Sequence, residues 1–302
     1  PGDQLPQLEQ VLYGLRNSRG KTIQAGTAAR IGVDLLTSRN VELLTLGLDG
    51  LARKSFAAPA GSFVLRGDYD GDGASDTAVF RNGVWNLSHA NGTTRVAYWG
   101  VAGDEPVSAD FDGDGKTDIA IWRPTGSTGV AQWFIIRSGD GGVDVYDWGL
   151  KDDRPLPADF NGDGRADPAV FRDSMGTWFP LDSRSRQAIS PQQWGLPGDQ
   201  PRTADLDRDG RSDMIVWRPS AGTWYTKLSG GGALAQQWGL PGDVPVVGPF
   251  SATTASEYAV YRARTRQLFV LTASGPRVVS LGAIGAQGAT SVVGVAPFAI
   301  VN

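Results

Sequence analysis

The residues best suited to chemistry are acidic side chains that alternate within a short stretch occurring four times. The copies are DYDGDGASD from Asp68, DFDGDGKTD from Asp110, DFNGDGRAD from Asp159 and DLDRDGRSD from Asp205. Positions 1, 3, 5 and 9 of each copy carry a side-chain oxygen, and position 6 is always glycine. Oxygen ligands at alternate positions on a tight glycine turn can surround a hard cation, and the carbonyl at position 7 can add a backbone oxygen. The four stretches therefore predict cation-binding loops.

Calcium fits these loops better than magnesium, because it accepts about six to eight oxygen ligands in irregular geometry. An EF-hand would need a bidentate Glu at position 12 and flanking helices. Position 12 is instead apolar in every copy, which is typical of a buried strand: Val79, Ile121, Val170 and Val216. A solvated acidic turn without metal is the alternative.

A fifth copy of the stretch has lost its acids. It carries Pro249, Ser251 and Thr253 at positions 1, 3 and 5 and Ala255 at position 7, and Glu257 alone cannot form a cage. The sequence thus predicts four calcium sites and one loop without metal.

Other features recur in step with the acidic stretch, so the chain is an internal repeat. Each unit has an aromatic–arginine pair, then a tryptophan, then a Trp-Gly pair and a turn containing Asp. The aromatic–arginine pairs are Phe80-Arg81, Trp122-Arg123, Phe171-Arg172, Trp217-Arg218 and Tyr261-Arg262. The tryptophans are Trp85, Trp133, Trp178 and Trp224, and the Trp-Gly pairs begin at Trp99, Trp148, Trp194 and Trp238. The turn aspartates are Asp104, Asp153, Asp199 and Asp243.

Each unit reads as four short strands separated by glycine-rich turns, the pattern of a β-propeller blade. The fold class is therefore all-β: one β-propeller domain over residues 1–302, with blades at about 63–100, 106–149, 155–195, 201–239 and 245–282. At the ends, TSVVGVAPFAIVN resembles a first strand, and EQVLYGLR, RIGVDLLTS and NVELLTLGL resemble the second, third and fourth. We expect residues 1–48 and 290–302 to pair in a closing blade, which favours six blades in a closed ring, with seven as the alternative.

Composition limits the possible functions. The net charge of −4 gives no support for nucleic acid as a partner, and there is no apolar run long enough for membrane insertion. The 302 residues include no cysteine and one histidine, His89, so thiolate chemistry is excluded. His89 lies in the polar stretch LSHANGTT without an adjacent acid, and we expect it to be exposed to solvent. The absence of a signal peptide does not indicate the cytoplasm.

The acidic stretches resemble the FG-GAP/VCBS repeats of integrin-α-like propellers and of secreted bacterial and fungal propellers, over roughly residues 63–283. The resemblance implies calcium on the loop between the first two strands of a blade. It implies these side-chain ligands: Asp68, Asp70, Asp72 and Asp76; Asp110, Asp112, Asp114 and Asp118; Asp159, Asn161, Asp163 and Asp167; Asp205, Asp207, Asp209 and Asp213. It also implies backbone carbonyl ligands from Ala74, Lys116, Arg165 and Arg211. Integrin propellers have seven blades, which conflicts with the count of six.

The tryptophans could stack on sugars, but their fixed places in every unit favour packing between blades. The recurring arginine favours a tie from one blade to its neighbour, and the recurring turn aspartate favours a turn cap. The sequence shows no nucleophile elbow or phosphate loop, so we expect no catalytic residues. We expect a secreted or cell-surface, bacterial, calcium-binding lectin-like or adhesion module whose partner is a glycan or a surface protein. The alternatives are a polysaccharide lyase or hydrolase, or a non-catalytic domain of a larger secreted enzyme. The oligomeric state stays open.

Overall fold

The computed structural model describes residues 31–36, 40–47, 50–57, 59, 61–125, 129–248, 250, 256–280 and 299–300, with backbone alone before residue 58 and at 299–300. Every regular element in these ranges is a β-strand. Within the same ranges, no helical segment has the length and hydrophobicity needed to cross a bilayer.

The first three strands form a small antiparallel sheet in chain order. They are β1 (Ile31–Leu36), β2 (Asn40–Gly47) and β3 (Gly50–Ala57). The register of β2 and β3 runs from Asn40 opposite Ala57 to Gly47 opposite Gly50.

The following strands form five antiparallel four-stranded blades, each a meander in chain order. The first blade contains β4 (Phe63–Gly67), β5 (Asp76–Arg81), β6 (Val84–Ser88) and β7 (Thr94–Tyr98). The second contains β8 (Glu105–Ala109), β9 (Asp118–Arg123), β10 (Val130–Ile136) and β11 (Val143–Leu150). The third contains β12 (Arg154–Pro155), β13 (Ala169–Arg172), β14 (Thr177–Pro180) and β15 (Gln192–Gln193). The fourth contains β16 (Gln200–Ala204), β17 (Asp213–Arg218), β18 (Thr223–Lys227) and β19 (Ala233–Gln237). The fifth contains β20 (Val244–Gly248), β21 (Glu257–Arg262), β22 (Gln267–Thr272) and β23 (Gly275–Ser280).

Burial across a blade follows the hydrophobic pattern of its strands. In the second blade, all residues of β9 except Arg123 are buried, because both faces of this strand are covered. The next strand, β10, alternates between buried and partly exposed residues, which is the pattern of a strand with one covered face. The fourth strand, β11, is largely exposed, with Tyr146 as its one buried residue. The blade interior therefore lies along its second and third strands, and its outer edge faces solvent.

The repeated tryptophans pack the blades together, as the sequence predicts. Those of the third strands are fully buried: Trp85, Trp133, Trp178 and Trp224. Each donates its indole N–H to the backbone carbonyl of the Trp-Gly tryptophan in its own blade. The Trp-Gly tryptophans in turn donate to a carbonyl in the next blade: Phe134 for Trp99, Phe179 for Trp148, Tyr225 for Trp194 and Phe269 for Trp238. Each of the four successive blade pairs, from the first to the fifth, is thus joined by a partly buried indole that donates a directed hydrogen bond.

In the second to fifth blades the repeated arginine stays within its own blade, which corrects the predicted tie to a neighbour. Arg123 forms a bidentate pair with Asp104, with Nε–Oδ1 and Nη2–Oδ2 distances of 2.7 and 2.8 Å. The same oxygen Oδ2 accepts the Val101 N–H, so Asp104 is the predicted turn cap as well as the ion-pair partner. The guanidinium lies 4.6 Å from the centroid of the Phe134 ring in the same blade. Equivalent pairs are Arg172–Asp153, Arg218–Asp199 and Arg262–Asp243.

The predicted count of six or seven blades in a closed ring is wrong for the residues that the structure describes. These form five four-stranded blades, and no described sheet combines strands from both ends into a closing blade. The C-terminal strand β24 (Ala299–Ile300) pairs antiparallel with β4 instead, where it satisfies the open edge of the first blade. At the N-terminal end, RIGVDLLTS and NVELLTLGL do contain strands, but they continue into β3, whose central Arg53-Lys54 obscures the strand pattern. The predicted strand EQVLYGLR lies outside the described residues.

Candidate metal centres

The second loop shows how each acidic stretch is built. Asp110 at position 1 accepts the N–H of Gly113 through Oδ1 and that of Gly115 through Oδ2, at 2.6 and 2.8 Å. Asp112 and Asp114 each accept the N–H two residues further on, at 3.0 and 2.8 Å. These side-chain to backbone bonds wind the loop tightly, with positive φ angles at Gly113 and Gly115 that favour glycine. The loop thus gathers its own carboxylates on the inside of the turn.

Asp118 at position 9 anchors the loop to the blade. Its side chain is fully buried, Oδ2 accepts the Phe111 N–H at 2.7 Å, and Oδ1 accepts the Ser138 N–H at 2.6 Å. Ser138 belongs to the hairpin between the third and fourth strands. The same carboxylate therefore fixes the acidic loop, the start of β9 and the neighbouring hairpin.

The other three loops repeat this geometry. Asp68, Asp159 and Asp205 each accept the N–H groups at positions 4 and 6 of their own loops. Asp76, Asp167 and Asp213 are buried like Asp118 and accept the N–H at position 2 and one from the hairpin. The position 3 and 5 side chains make the same short bonds to backbone N–H groups in every loop. Four loops in one conformation agree with four equivalent sites.

The electrostatics of the loops favour a cation. Burial raises the pKa of Asp118 and of Asp167 to about 7, although backbone N–H groups partly offset the effect. Burial likewise raises the pKa of Asp213 to about 6, and that of Asp68 above its usual range. Neighbouring carboxylates add to each rise. A bound cation would offset the free-energy cost of keeping these buried carboxylates ionised, because it stabilises the charged form of every carboxylate around it.

The donor set fits calcium. Ligand atoms lie within 4.8 Å of one another in three acidic groups: Asp68, Asp70 and Asp72; Asp110, Asp112 and Asp118; Asp205, Asp207 and Asp213. The third loop has Asn161 at position 3, whose side-chain oxygen is also a calcium ligand type. Hard oxygen donors without sulfur match calcium, and the predicted side-chain ligands of each loop are the groups that would hold it. The carbonyls of Ala74, Lys116, Arg165 and Arg211 stay predicted ligands.

Adjacent loops contact one another in a way the sequence did not reveal. The N–H at position 8 of one loop donates to the carbonyl at position 1 of the loop before it: Thr117 to Asp68, Ala166 to Asp110 and Ser212 to Asp159, at 2.6, 2.7 and 2.7 Å. The basic residue at position 7 also packs over the position 4 glycine of the previous loop. A Cβ on Gly71 would lie 2.7 Å from Lys116 Cε, and one on Gly113 would lie 3.0 Å from Arg165 Cγ. The position 4 glycine is therefore favoured by the side chain that the next loop packs over it as well as by its φ angle.

The last acidic loop departs from this pattern. Arg208 stands at position 4 with a φ of 65°, where the other loops have glycine. The following unit has Ala255 at position 7, so its sequence supplies no long basic side chain to cover that position. In the fifth copy, buried Glu257 accepts the Phe250 N–H at 3.1 Å, as the position 9 aspartates do. Pro249, Ser251, Thr253 and Ala255 lie outside the described residues, so the loop without metal stays a prediction.

His89 is placed differently from its prediction as an exposed residue. Its side chain is buried, and Nδ1 lies 2.9 Å from Asp76 Oδ2 and 3.6 Å from Asp70 Oδ2 in the first acidic loop. The acids were missed because they come from a loop more than a dozen positions earlier, which the hairpin after β6 covers. The hydrogen bonds of the structure show that Ala90, next to His89, occupies the place of Ser138, Ser183 and Ser229 in the later hairpins.

An open depression of about 370 Å³ lies beside the second loop. Its lining includes Asp112 and Asp114 of that loop, Arg165 of the third loop, and Arg137 with Asp140 from the β10–β11 hairpin. Arg137 is held by Asp140 at 2.9 Å and by Asp144 at 2.7 Å. Acidic and basic side chains and a candidate cation site therefore lie together on one solvent-facing surface.

The fold, but no family, is supported by comparison with known proteins. No protein-family model matches the chain, and no curated protein matches its sequence. FG-GAP/VCBS membership therefore stays a prediction.

Among solved structures, the chain is similar to a catalytically inactive virginiamycin B lyase from Staphylococcus aureus with quinupristin. The TM-score is 0.54 at 10% identity, over 91% of this chain and 95% of that one. It is also similar to a streptogramin B lyase, with a TM-score of 0.52 at 12% identity, over 91% and 94% of the two chains. At these identities the likeness shows the fold alone. The chain is thus a β-propeller built from four-stranded blades.

Proposed function

We propose that this chain is a calcium-stabilised β-propeller that acts outside the cell as a binding module for a glycan or a cell-surface protein. The observation that carries the proposal is the set of four acidic loops in one conformation, each anchored by a buried position 9 aspartate. Calcium at these positions would lock the loops on one end of the blades. A scaffold of this kind presents rigid surface between its blades for recognition.

The charge chemistry of the described residues supports binding rather than catalysis. The acidic loops account for most of the buried aspartates, and the bidentate arginine pairs account for Asp104, Asp153, Asp199 and Asp243. The single histidine faces the first acidic loop. These groups hold the scaffold together, and a general acid–base pair would need a free partner facing a cleft.

A location outside the cell follows from expected calcium affinity. Loops that lack a bidentate Glu bind calcium weakly, and extracellular modules with weak sites fill where calcium approaches millimolar concentration. The open depression beside the second loop is the best candidate for ligand contact, because Arg137 and Arg165 could bind anionic or hydroxyl-rich groups there. The repeated Arg, Asp and Trp groups that could have formed sites between blades are instead packed against one another.

A glycan-array screen with calcium and with chelator tests the proposal. Calcium-dependent binding to a defined sugar, weakened by Arg137→Ala, would support a lectin-like module. Calcium-dependent capture of a surface protein without sugar binding would support adhesion.

A propeller lyase is the second candidate, because both structural neighbours named above are lyases. Turnover of a polysaccharide or of quinupristin by the purified chain would favour that activity and reject the binding module.

A further inference from the structure

The first acidic loop has a nitrogen donor facing its carboxylates. His89 is 7% exposed, and its Nδ1 atom points at Asp76 Oδ2 and Asp70 Oδ2. The three ligand atoms of Asp70, Asp76 and His89 lie within 4.8 Å of one another. The hairpin that carries His89 is held over the loop by two further bonds, from Ala90 N–H to Asp76 Oδ1 and from Asn91 Nδ2 to Asp70 Oδ2. The imidazole is thus fixed against the loop rather than resting there by chance.

The corresponding hairpins of the next three blades have no imidazole. The residue that follows His89 donates its N–H to the position 9 aspartate, and Ser138, Ser183 and Ser229 make the same bond. Their preceding residues, Arg137, Asp182 and Leu228, therefore occupy the place of His89. Arg137 and Leu228 offer no metal ligand, and Asp182 offers only oxygen. A nitrogen donor thus distinguishes the first loop from these three.

Imidazole changes the cation that such a loop prefers. Calcium takes almost exclusively oxygen ligands, whereas imidazole together with carboxylates suits zinc and its neighbours in the first transition row. Zinc also binds well with three protein ligands and a fourth position left for water or another group. Ligands around a zinc ion at its usual bond lengths lie about 3 to 3.5 Å apart. Nδ1 lies 3.6 Å from Asp70 Oδ2 and 2.9 Å from Asp76 Oδ2, so the ion would replace the Nδ1–Asp76 hydrogen bond with a slight separation of these two atoms.

We propose that the first loop is a mixed histidine–carboxylate site that takes Zn²⁺ or a similar transition-metal ion through Asp70, Asp76 and His89 in preference to calcium. Asp70 and Asp76 belong to both ligand sets, so the two cations compete for this loop. Without a transition metal, the four side-chain oxygens of the loop take calcium as the other loops do. The proposal deepens the proposed function, because it assigns one of the four loops to a second metal class.

NMR of the full chain tests this directly, because every imidazole signal comes from His89. Zn²⁺ is added to uniformly ¹⁵N-labelled protein in excess calcium, and the imidazole nitrogens are followed. We expect one equivalent to shift the Nδ1 resonance, and the shift to persist in millimolar calcium. An imidazole unmoved by Zn²⁺, or a shift that calcium reverses, would overturn the proposal.

Two variants separate the two ligand sets by calorimetry with Zn²⁺ and with calcium. His89→Gln should lower Zn²⁺ affinity at least about tenfold, since even the mutation of a residue that only contacts a metal ligand lowers metal affinity by that much. Asp72→Ala removes a side-chain ligand from the calcium set alone, so it should weaken calcium in this loop and leave Zn²⁺ affinity within about twofold. Equal Zn²⁺ affinity in His89→Gln and the unaltered chain would reject the role of His89. If His89→Gln does not fold, the NMR experiment still decides.

The zinc inference and the proposed calcium scaffold can fail independently of each other. Calcium uptake by the second, third and fourth loops with no zinc effect on His89 would reject this inference alone. Zinc binding at His89 with no calcium uptake by any loop would reject the calcium scaffold and leave this inference standing.

Discussion

Replacing Asp153 with asparagine should destabilise the propeller without affecting its metal sites. Asp153 sits in the turn before the third blade, and its side chain is 2% exposed. Oδ1 accepts Arg172 Nε–H at 2.8 Å, and Oδ2 accepts both Arg172 Nη2–H and the Leu150 N–H at 2.8 Å. In Asp153→Asn, the amide keeps one acceptor oxygen, and its NH₂ group faces at least one donor, the Arg172 Nε–H, even in the better of its two orientations.

The expected loss can be worked from these contacts. Breaking a fully buried ion pair costs about 3 to 5 kcal/mol, because the remaining charge is left without a partner. The Arg172 side chain is 24% exposed, so water compensates part of that cost. We expect a loss of about 2 to 3 kcal/mol, which lowers the melting temperature by roughly 3 to 5 °C in a chain of this size.

Thermal and urea unfolding, followed by tryptophan fluorescence, measure this loss. Asp152→Asn is the matched control, since Asp152 is the adjacent, exposed aspartate and should change stability by less than about 0.5 kcal/mol. The loss should be equal in calcium and in chelator, because Asp153 is not a predicted ligand. A variant as stable as the control, or a loss seen in calcium alone, would refute the assignment of Asp153 to the turn.

Three further changes have defined expected outcomes. Trp148→Phe removes the indole N–H that donates to the Phe179 carbonyl in the next blade, and should cost about 1 to 2 kcal/mol in urea unfolding. Burial raises the pKa of Glu105 from 4.5 to about 7, so this carboxyl stays protonated to a higher pH in the folded protein than in the unfolded protein. Stability should therefore fall by about 2 kcal/mol as pH rises from 4.5 to 7, and Glu105→Gln should lose that part of the slope; parallel slopes would contradict the shift. Asp118→Ala should reduce bound calcium from four ions to three by calorimetry, and an unchanged count would exclude Asp118 as a necessary ligand.

The blade pattern could be predicted from sequence because each unit carries the same signals in the same order. All of these signals depend on contacts within one unit or with the next unit. They are the acidic loop, the aromatic–arginine pair, the tryptophan and the Trp-Gly pair. The arginine–aspartate pairing was also present in the sequence, since Asp104 and Arg123 are separated by the same 19 positions as Asp153 and Arg172. That constant spacing places both partners in one blade, which the predicted tie to a neighbour overlooked.

The blade count and His89 could not be predicted for physical reasons. The ends lack the acidic and tryptophan signals, so the choice of partner for β24 depends on which sheet edge is open. His89 meets Asp70 and Asp76 only because a hairpin folds over the acidic loop. Contacts between one loop and the hairpin above it depend on three-dimensional register rather than on the spacing of like residues.

Calcium stoichiometry tests the central claim most directly. Metal-stripped protein is titrated with calcium alone by calorimetry, and bound metal is counted after gel filtration. Four calcium ions per chain, with a melting temperature that rises on calcium addition and falls again on chelation, are the expected result. No bound calcium and an unchanged melting temperature would contradict the account, because the buried aspartates would then hold the loops without a cation.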